Sequence, residues 1–313
     1  MEFVKACLDA MVPENHPLMV INREISFAFV YADFKKYYSQ SGEGHPPMDP
    51  EILFRIVFVA HLEGLSYREV VSRLQHDVLY RAFTGWWKSG HPHHSTLSKF
   101  LDRVGSKPIA NAFNKVVAQA REKKIITDRL SSIDSTIVES HANKLRLWHE
   151  GGSPDPEASW TKKRGKSYYG FKAHTACDVD SQMVTKLSST PANQSDMTYL
   201  EPVLEESAKA TTADKGYSSG KNRELLAQKK QEDCIIPKDN ESIEIDRKKA
   251  KGRTQVERNY SVVKRCHRLG VTISWGQERF TIQSTFAFLA WNAKCWVKAL
   301  LGKPWYLLKE KCV

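Results

Sequence analysis

The sequence predicts an α/β fold preceded by an all-α N-terminal part. Three observations carry this expectation. Up to about residue 125 the apolar residues recur mostly at helical spacing. From about residue 126 short alternating segments interleave with helical ones. Prolines, glycines and capping residues fall where such elements would begin and end. The 313 residues suffice for about two domains, and we divide the chain into 1–125 and 126–313, the latter with a C-terminal helical segment.

In the first part, Asp49 before Pro50 suits an N-cap followed by proline at the first helical position. Ile52, Ile56, Val59 and Leu62 then share a helical face, with Arg55 off it, and Gly64 closes the element. Ser66 with Glu69 forms a capping-box signature for a helix over 67–74. A further start falls at Ser95, before Leu97, Phe100, Leu101 and Val104. His91, His93 and His94 read as a polar turn ahead of it, since no cysteine pair accompanies them. Trp86 and Trp87 beside Gly85 are expected to pack within this part. Short helices with basic residues fit a helix-turn-helix-like DNA-binding unit, and equally a plain packing or dimerisation bundle.

In the second part LSSIDSTIV alternates as a strand, with Ile133 and Ile137 on one face and Asp134 and Thr136 on the other. A Gly/Pro-rich loop follows. GFKAHTACDV and MVTKLSST are the next strands, turning at Asp180–Ser181. Then come a helix over 195–204, a strand over 210–214, a helix over 219–229, a strand over 234–236 and a long helix over 249–268. Three strands, helix, strand, helix, strand, helix is the order of an RNase H-like mixed sheet. The apolar stretch 281–301 is a helix packed on that core.

Lys and Arg outnumber Asp and Glu by 47 to 36, a net charge of +11. A chain this basic fits a polyanionic partner, nucleic acid first, with a merely solvated basic surface as the plain alternative. No apolar run approaches the ~20 residues of a membrane helix. The six cysteines form no CxxC pair, and no secretory leader is evident. These features predict a protein of the reducing cytoplasm.

Asp134 lies inside an apolar strand, where a carboxylate needs a partner or a metal. Asp214 ends another strand, before Lys215, Gly216 and Tyr217, with Asp178, Asp180 and Asp196 as further acids nearby. Residues 247–268 hold nine Lys or Arg and one acid, Glu257. Arg253, Glu257 and Lys264 share a helix face, beside an apolar stripe of Val256, Tyr260, Val263 and His267. Glu257 could be a salt-bridge partner, or a metal ligand beside DNA phosphates clamped by Arg253 and Lys264. Lys162, Lys163, Arg164, Lys166 and Lys172 form a second basic cluster, interleaved with Trp160, Tyr168, Tyr169 and Phe171. It fits a backbone groove with stacking platforms, and equally a solvated loop over core aromatics.

SIDST, TADKGYSS and the R-x3-E-x6-K spacing of Arg253, Glu257 and Lys264 resemble the DDE transposases of bacterial insertion sequences. The resemblance is to the insertion-sequence-4 and insertion-sequence-5-like superfamily. KKRGKSYYGFKAH, TPANQSD, SYREV and STLSKFLDR extend it over most of the chain. One departure is Ala250, where the third motif leads with tyrosine. The resemblance implies an RNase H-like catalytic domain that cuts element ends and joins their 3′-hydroxyls to target DNA. It implies Asp134, Asp214 and Glu257 as ligands of two Mg2+ ions, with Mn2+ able to substitute. Arg253, Arg258, Lys264, the 162–172 cluster and Tyr217 would contact DNA. Tyr217, or Trp148 and Trp160, could stack on an unpaired base. The implied partners are double-stranded DNA, at the terminal inverted repeats and at the target, and a second copy of the chain. The alternatives are an inactive or regulatory DNA-binding derivative and a metal nuclease that does not join ends.

Overall fold

Asp49 opens the first long helix as its sequence requires, its carboxylate accepting the Glu51 N–H at 2.8 Å. The computed structural model describes residues 11–38, 47–142 and 155–302. Before the sheet these form α1 (Pro17–Glu24), α2 (Phe29–Phe34), α3 (Pro50–Glu63), α4 (Tyr67–Arg73), α5 (Val78–Thr84), α6 (His94–Val104) and α7 (Ser106–Glu122). Gly64 ends α3 in the left-handed region at φ +71°. The capping box is reciprocal: Glu69 N–H donates to Ser66 Oγ, and Ser66 N–H to Glu69 Oε2 at 2.7 Å. Helix α6 starts at His94, one residue before the expected Ser95, because His93 Nδ1 accepts the Ser95 N–H and caps the turn. Trp86 is buried, its indole N–H donating to Gly90 O.

Helix α3 differs from the one-faced helix the spacing suggested. Residues 53, 54 and 56–62 are all buried, so it is a central helix enclosed by others. Arg55 escapes burial of a lone charge by pairing with Glu51 at 2.9 Å and Asn22 at 2.7 Å.

The sheet comprises β1 (Ser131–Glu139), β2 (Ser159–Lys163), β3 (Lys166–Asp178), β4 (Val184–Pro191), β5 (Ala210–Ala213) and β6 (Glu232–Asp233). Strand β1 runs antiparallel to β3 and parallel to β5, and β5 runs parallel to β6. Strand β4 lies along residues 171–177 of β3, and β2 lies along 166–170 of the same edge. The order β4-β3-β1-β5-β6, three antiparallel strands and then two parallel ones, is RNase H-like.

Two helices, α8 (Leu200–Val203) and α9 (Gly220–Gln228), lie between strands, and α10 (Arg247–Ala250), α11 (Arg253–Cys266) and α12 (Gln277–Leu301) follow β6. Several expectations shift here. The helix over 195–204 is a 3-10 turn at Asp196–Tyr199 and one turn of α8. The strand over 234–236 registers at Glu232–Asp233, although Cys234 and Ile236 N–H still reach the carbonyls of Thr211 and Ala213. The helix over 249–268 breaks between α10 and α11. A Cβ on Gly252 would come within 3.1–3.2 Å of Lys249 O, Leu130 and Val179, so the chain turns closely there against the start of β1. Helix α12 begins one turn earlier than expected. Strand β2 and its hairpin were not expected as a strand at all.

Helix α12 packs on α3, α7 and β4. One core therefore runs from Leu18 through Phe58 to Val138, Val263 and Val297, across residue 125. The Phe54 and Phe286 rings meet at 5.0 Å within it. A smaller core of Ile133, Leu200, Val203, Ala213, Tyr217 and Leu226 fills the other face of the sheet.

Candidate active site

Strand alternation decides which way each acid points. Ile133 and Ser135 face the smaller core, so Asp134 turns to the face covered by α11. Strand β5 pairs with β1 in parallel register, Ile133 opposite Ala213. The residue after each is an aspartate, so Asp134 and Asp214 stand just beyond the last pair of the ladder, near enough for the charge of Asp214 to act on Asp134. Both use the same local device: Asp134 Oδ1 accepts the Ser135 N–H at 2.8 Å, and Asp214 Oδ1 the Lys215 N–H at 2.8 Å. Burial pushes the Asp134 carboxyl up to about 6. The Ser135 N–H, Lys163 and Arg253 oppose that rise and the negative charge of Asp214 adds to it.

Helix α11 brings the third acid. Its stripe of Val256, Tyr260, Val263 and His267 is buried, and Tyr260 Oη shares a 2.7 Å hydrogen bond with Thr175 of β3. Glu257, on the other side, remains exposed and pairs with Arg253 at 3.1 Å. Asp134, Lys163, Arg164, Tyr168, Glu257 and Tyr260 line one cleft of about 350 Å3. Among the described residues no three acidic, histidine or cysteine side chains are gathered closely enough to hold one ion. The two aspartates adjoin, and Glu257 is turned to its arginine.

The basic residues divide. Lys162, Lys163 and Arg164 lie exposed at the β2–β3 hairpin, with Lys166 over the Tyr168 ring. Arg258 is exposed on α11. Lys172 is a correction: it is buried, with Nζ held by Gln194 O at 2.7 Å and Asp196 Oδ1 at 2.9 Å, so it offers DNA nothing. Tyr217 is a second correction, for a 3-10 turn folds its ring into the smaller core at 1% exposure and leaves no face for a base. Lys264 Nζ donates to Ile137 O of β1, and burial lowers its pKa, with Lys163 adding to the effect. It fastens α11 to the strand of Asp134. Trp160 is exposed, and Trp148 lies outside the described residues.

The other candidate acids are structural. Asp178 accepts from Thr127, Ser181 and the Asp128 N–H, and Asp180 pairs with Arg129 at 2.8 Å. Asp196 was seen in the sequence only as a rival to Asp214. It accepts from Ser135 Oγ at 2.9 Å and from Lys172, directly beneath Asp134's neighbour. Asp196 lies in the 3-10 turn beyond β4 and Lys172 inside β3, a pairing across 24 residues that sequence spacing alone does not reveal.

This chain matches the model of a transposase domain over residues 6–103 and that of a transposase DDE domain over residues 126–293. The second match covers more than half of it, and the chain belongs to the DDE-domain transposases. It is a DNA transposase. Among solved structures it is similar to the piggyBac transposase in a cryo-EM synaptic complex with hairpin DNA. That similarity stands at 11% identity and a TM-score of 0.39, over 95% of this chain and 80% of the other. Among the described residues no helix is long and apolar enough to cross a membrane.

Proposed function

We propose that the chain cuts the ends of a mobile element and joins the freed 3′-hydroxyls to target DNA, using Asp134, Asp214 and Glu257 as the ligands of two Mg2+ ions. The observation that carries this reading is the parallel register of Ile133 with Ala213, which sets two carboxylates side by side. Neighbouring carboxylates, one of them half-buried and raised to about 6, call for a cation between them. The donor set is all oxygen, which suits Mg2+, with Mn2+ a substitute. Glu257 completes it by turning from Arg253, an exposed i,i+4 pair of about 0.3–0.5 kcal/mol that yields readily. When bound, the ions supply an activated water and neutralise charge on the phosphate.

The chain's own groups do the rest. Asp134 and Asp214 each accept the N–H of the residue that follows, which orients both carboxylates before a cation would bind. Lys162, Lys163, Lys166 and Arg258 contact the DNA backbone, and Arg253 takes a phosphate when Glu257 releases it. Lys264 keeps the distance between α11 and β1. A dimer acting on two element ends, in the cytoplasm at the nucleoid, completes the reading. The division into 1–125, which binds element ends, and 126–313, which cuts, belongs to the same proposal.

The test is purified protein with Mg2+, labelled duplex carrying the inverted repeats that flank its gene, and a target plasmid. Cleavage with strand transfer is expected. Cleavage without joining indicates a nuclease, and binding without cleavage a regulatory DNA-binding protein. Either outcome contradicts the proposal.

A further inference from the structure

Arg164 stands in a backbone conformation that its side chain disfavours. Its φ is +52°, in the left-handed region, and Gly165 follows at +79°. This is the two-residue turn that suits the twist of a hairpin, and it favours Asn or Asp before Gly. Lys163 and Lys166 close the turn, and the β2–β3 ladder fixes its register. Nothing in the turn calls for an arginine. The cleft does, because Arg164 lines it together with Asp134 and Glu257. Among the described residues no carboxylate pairs with its guanidinium. Lys124, Asp128, Gln182, Lys230 and Arg268 share the left-handed region, so it is the place of Arg164 in the cleft, and not its φ alone, that gives the side chain a task.

We infer that Arg164 is a catalytic residue whose guanidinium donates to a non-bridging oxygen of the phosphate being cut. The inference rests on the phosphodiester chemistry proposed above and assigns this residue a part in the reaction itself. As the water oxygen bonds to phosphorus and loses its proton, the P–O3′ bond breaks. Its electron pair stays on the 3′-oxygen, which takes up a proton. Charge on the non-bridging oxygens grows on the way, so a donor fixed there favours the transition state over bound substrate. A guanidinium supplies two N–H groups in one plane, and the closed turn delivers them from a rigid stem. Lys163, one residue back in the ladder, offers only a point charge.

Arg164→Gly is the informative variant, because glycine adopts the turn without strain. Its thermal midpoint is expected to equal or exceed that of the parent. Single-turnover cleavage should fall by about 100-fold, and element-end affinity by less than about 5-fold. Arg164→Lys should restore only part of the rate. A second measurement needs no reaction: binding, in EDTA, of end DNA with an uncharged methylphosphonate at the scissile position. The parent protein should bind it more weakly than ordinary DNA, and Arg164→Gly should bind both alike. Parental cleavage by Arg164→Gly, equal losses of binding and rate, or the same methylphosphonate penalty in both proteins would each overturn the inference. Asp134→Asn run in parallel separates the two readings. If it is dead while Arg164→Gly cuts normally, only the arginine inference fails. If Asp134→Asn itself cuts normally, the proposed site fails.

Discussion

Asp134 and Asp214 each follow the last pair of a shared parallel ladder, Ile133–Ala213, by one residue. Their adjacency is a matter of register, and a slip of one residue would turn Asp134 into the smaller core. Each carboxylate is already oriented by the N–H of the residue after it.

That adjacency has a measurable consequence for stability. The Asp134 carboxyl titrates at about 6 in the folded protein, against 3.8 ordinarily. The folded state therefore holds its proton more tightly than the unfolded one. Metal-free protein should lose stability as pH rises from about 4 to about 6, by roughly 3 kcal/mol at most. Asp134→Asn should be the more stable protein at pH 7.5 in EDTA, and the difference should vanish below about pH 4. Urea midpoints at both pH values check this, and an unstabilised variant at pH 7.5 contradicts it.

A second expectation concerns the N-terminal helices and α11. His61 Nδ1 donates to His267 O, and His267 Nδ1 donates to His61 O at 2.9 Å. Both rings are buried and neutral. Burial holds the His267 ring at about 3 and pushes His61 well below its ordinary value. Here the unfolded state binds the extra proton. The stability this pair contributes is complete above pH 6.5 and is lost as pH falls towards the folded value. His267→Asn keeps a donor and removes one titration, so its stability should fall less steeply between pH 6.5 and 4. An unchanged slope argues against a coupled pair.

Lys172 and Lys163 should behave oppositely, though both belong to the basic run 162–172. Lys172→Met leaves Asp196 without its cation and should cost about 1–3 kcal/mol of stability. It should leave the salt dependence of DNA binding unchanged. Lys163→Met should leave the thermal midpoint unchanged and lower the slope of log affinity against log salt by about 0.9. Lys264→Met should resemble Lys172→Met in this assay, because its ammonium is held by Ile137 O.

What the sequence makes legible follows from how local each signal is. The Ser66–Glu69 box and the Asp49–Pro50 start are read from a few adjacent residues, and both form as expected. The alternation around Asp134 shows which face it takes. Long-range partners are not visible in this way. Lys172 looks like one more cation of a basic run until β3 carries it inward to Asp196. Tyr217 sits three residues from Asp214, yet a 3-10 turn reverses its direction. Strand β2 carries no clean alternation, and its turn uses Arg-Gly in place of the familiar Asn-Gly, so the hairpin that edges the cleft escaped notice. The break in the Glu257 helix depends on how closely Gly252 approaches Leu130 and Val179, which only the fold determines.

The central claim is that Asp134, Asp214 and Glu257 hold divalent cations as one site. Calorimetric titration of Mn2+ into the protein bound to element-end DNA tests it most directly. The account predicts about two ions per protomer, fewer in Glu257→Gln and none of that binding in the Asp134→Asn, Asp214→Asn double variant, with DNA affinity retained. Undiminished Mn2+ stoichiometry in the double variant would contradict it.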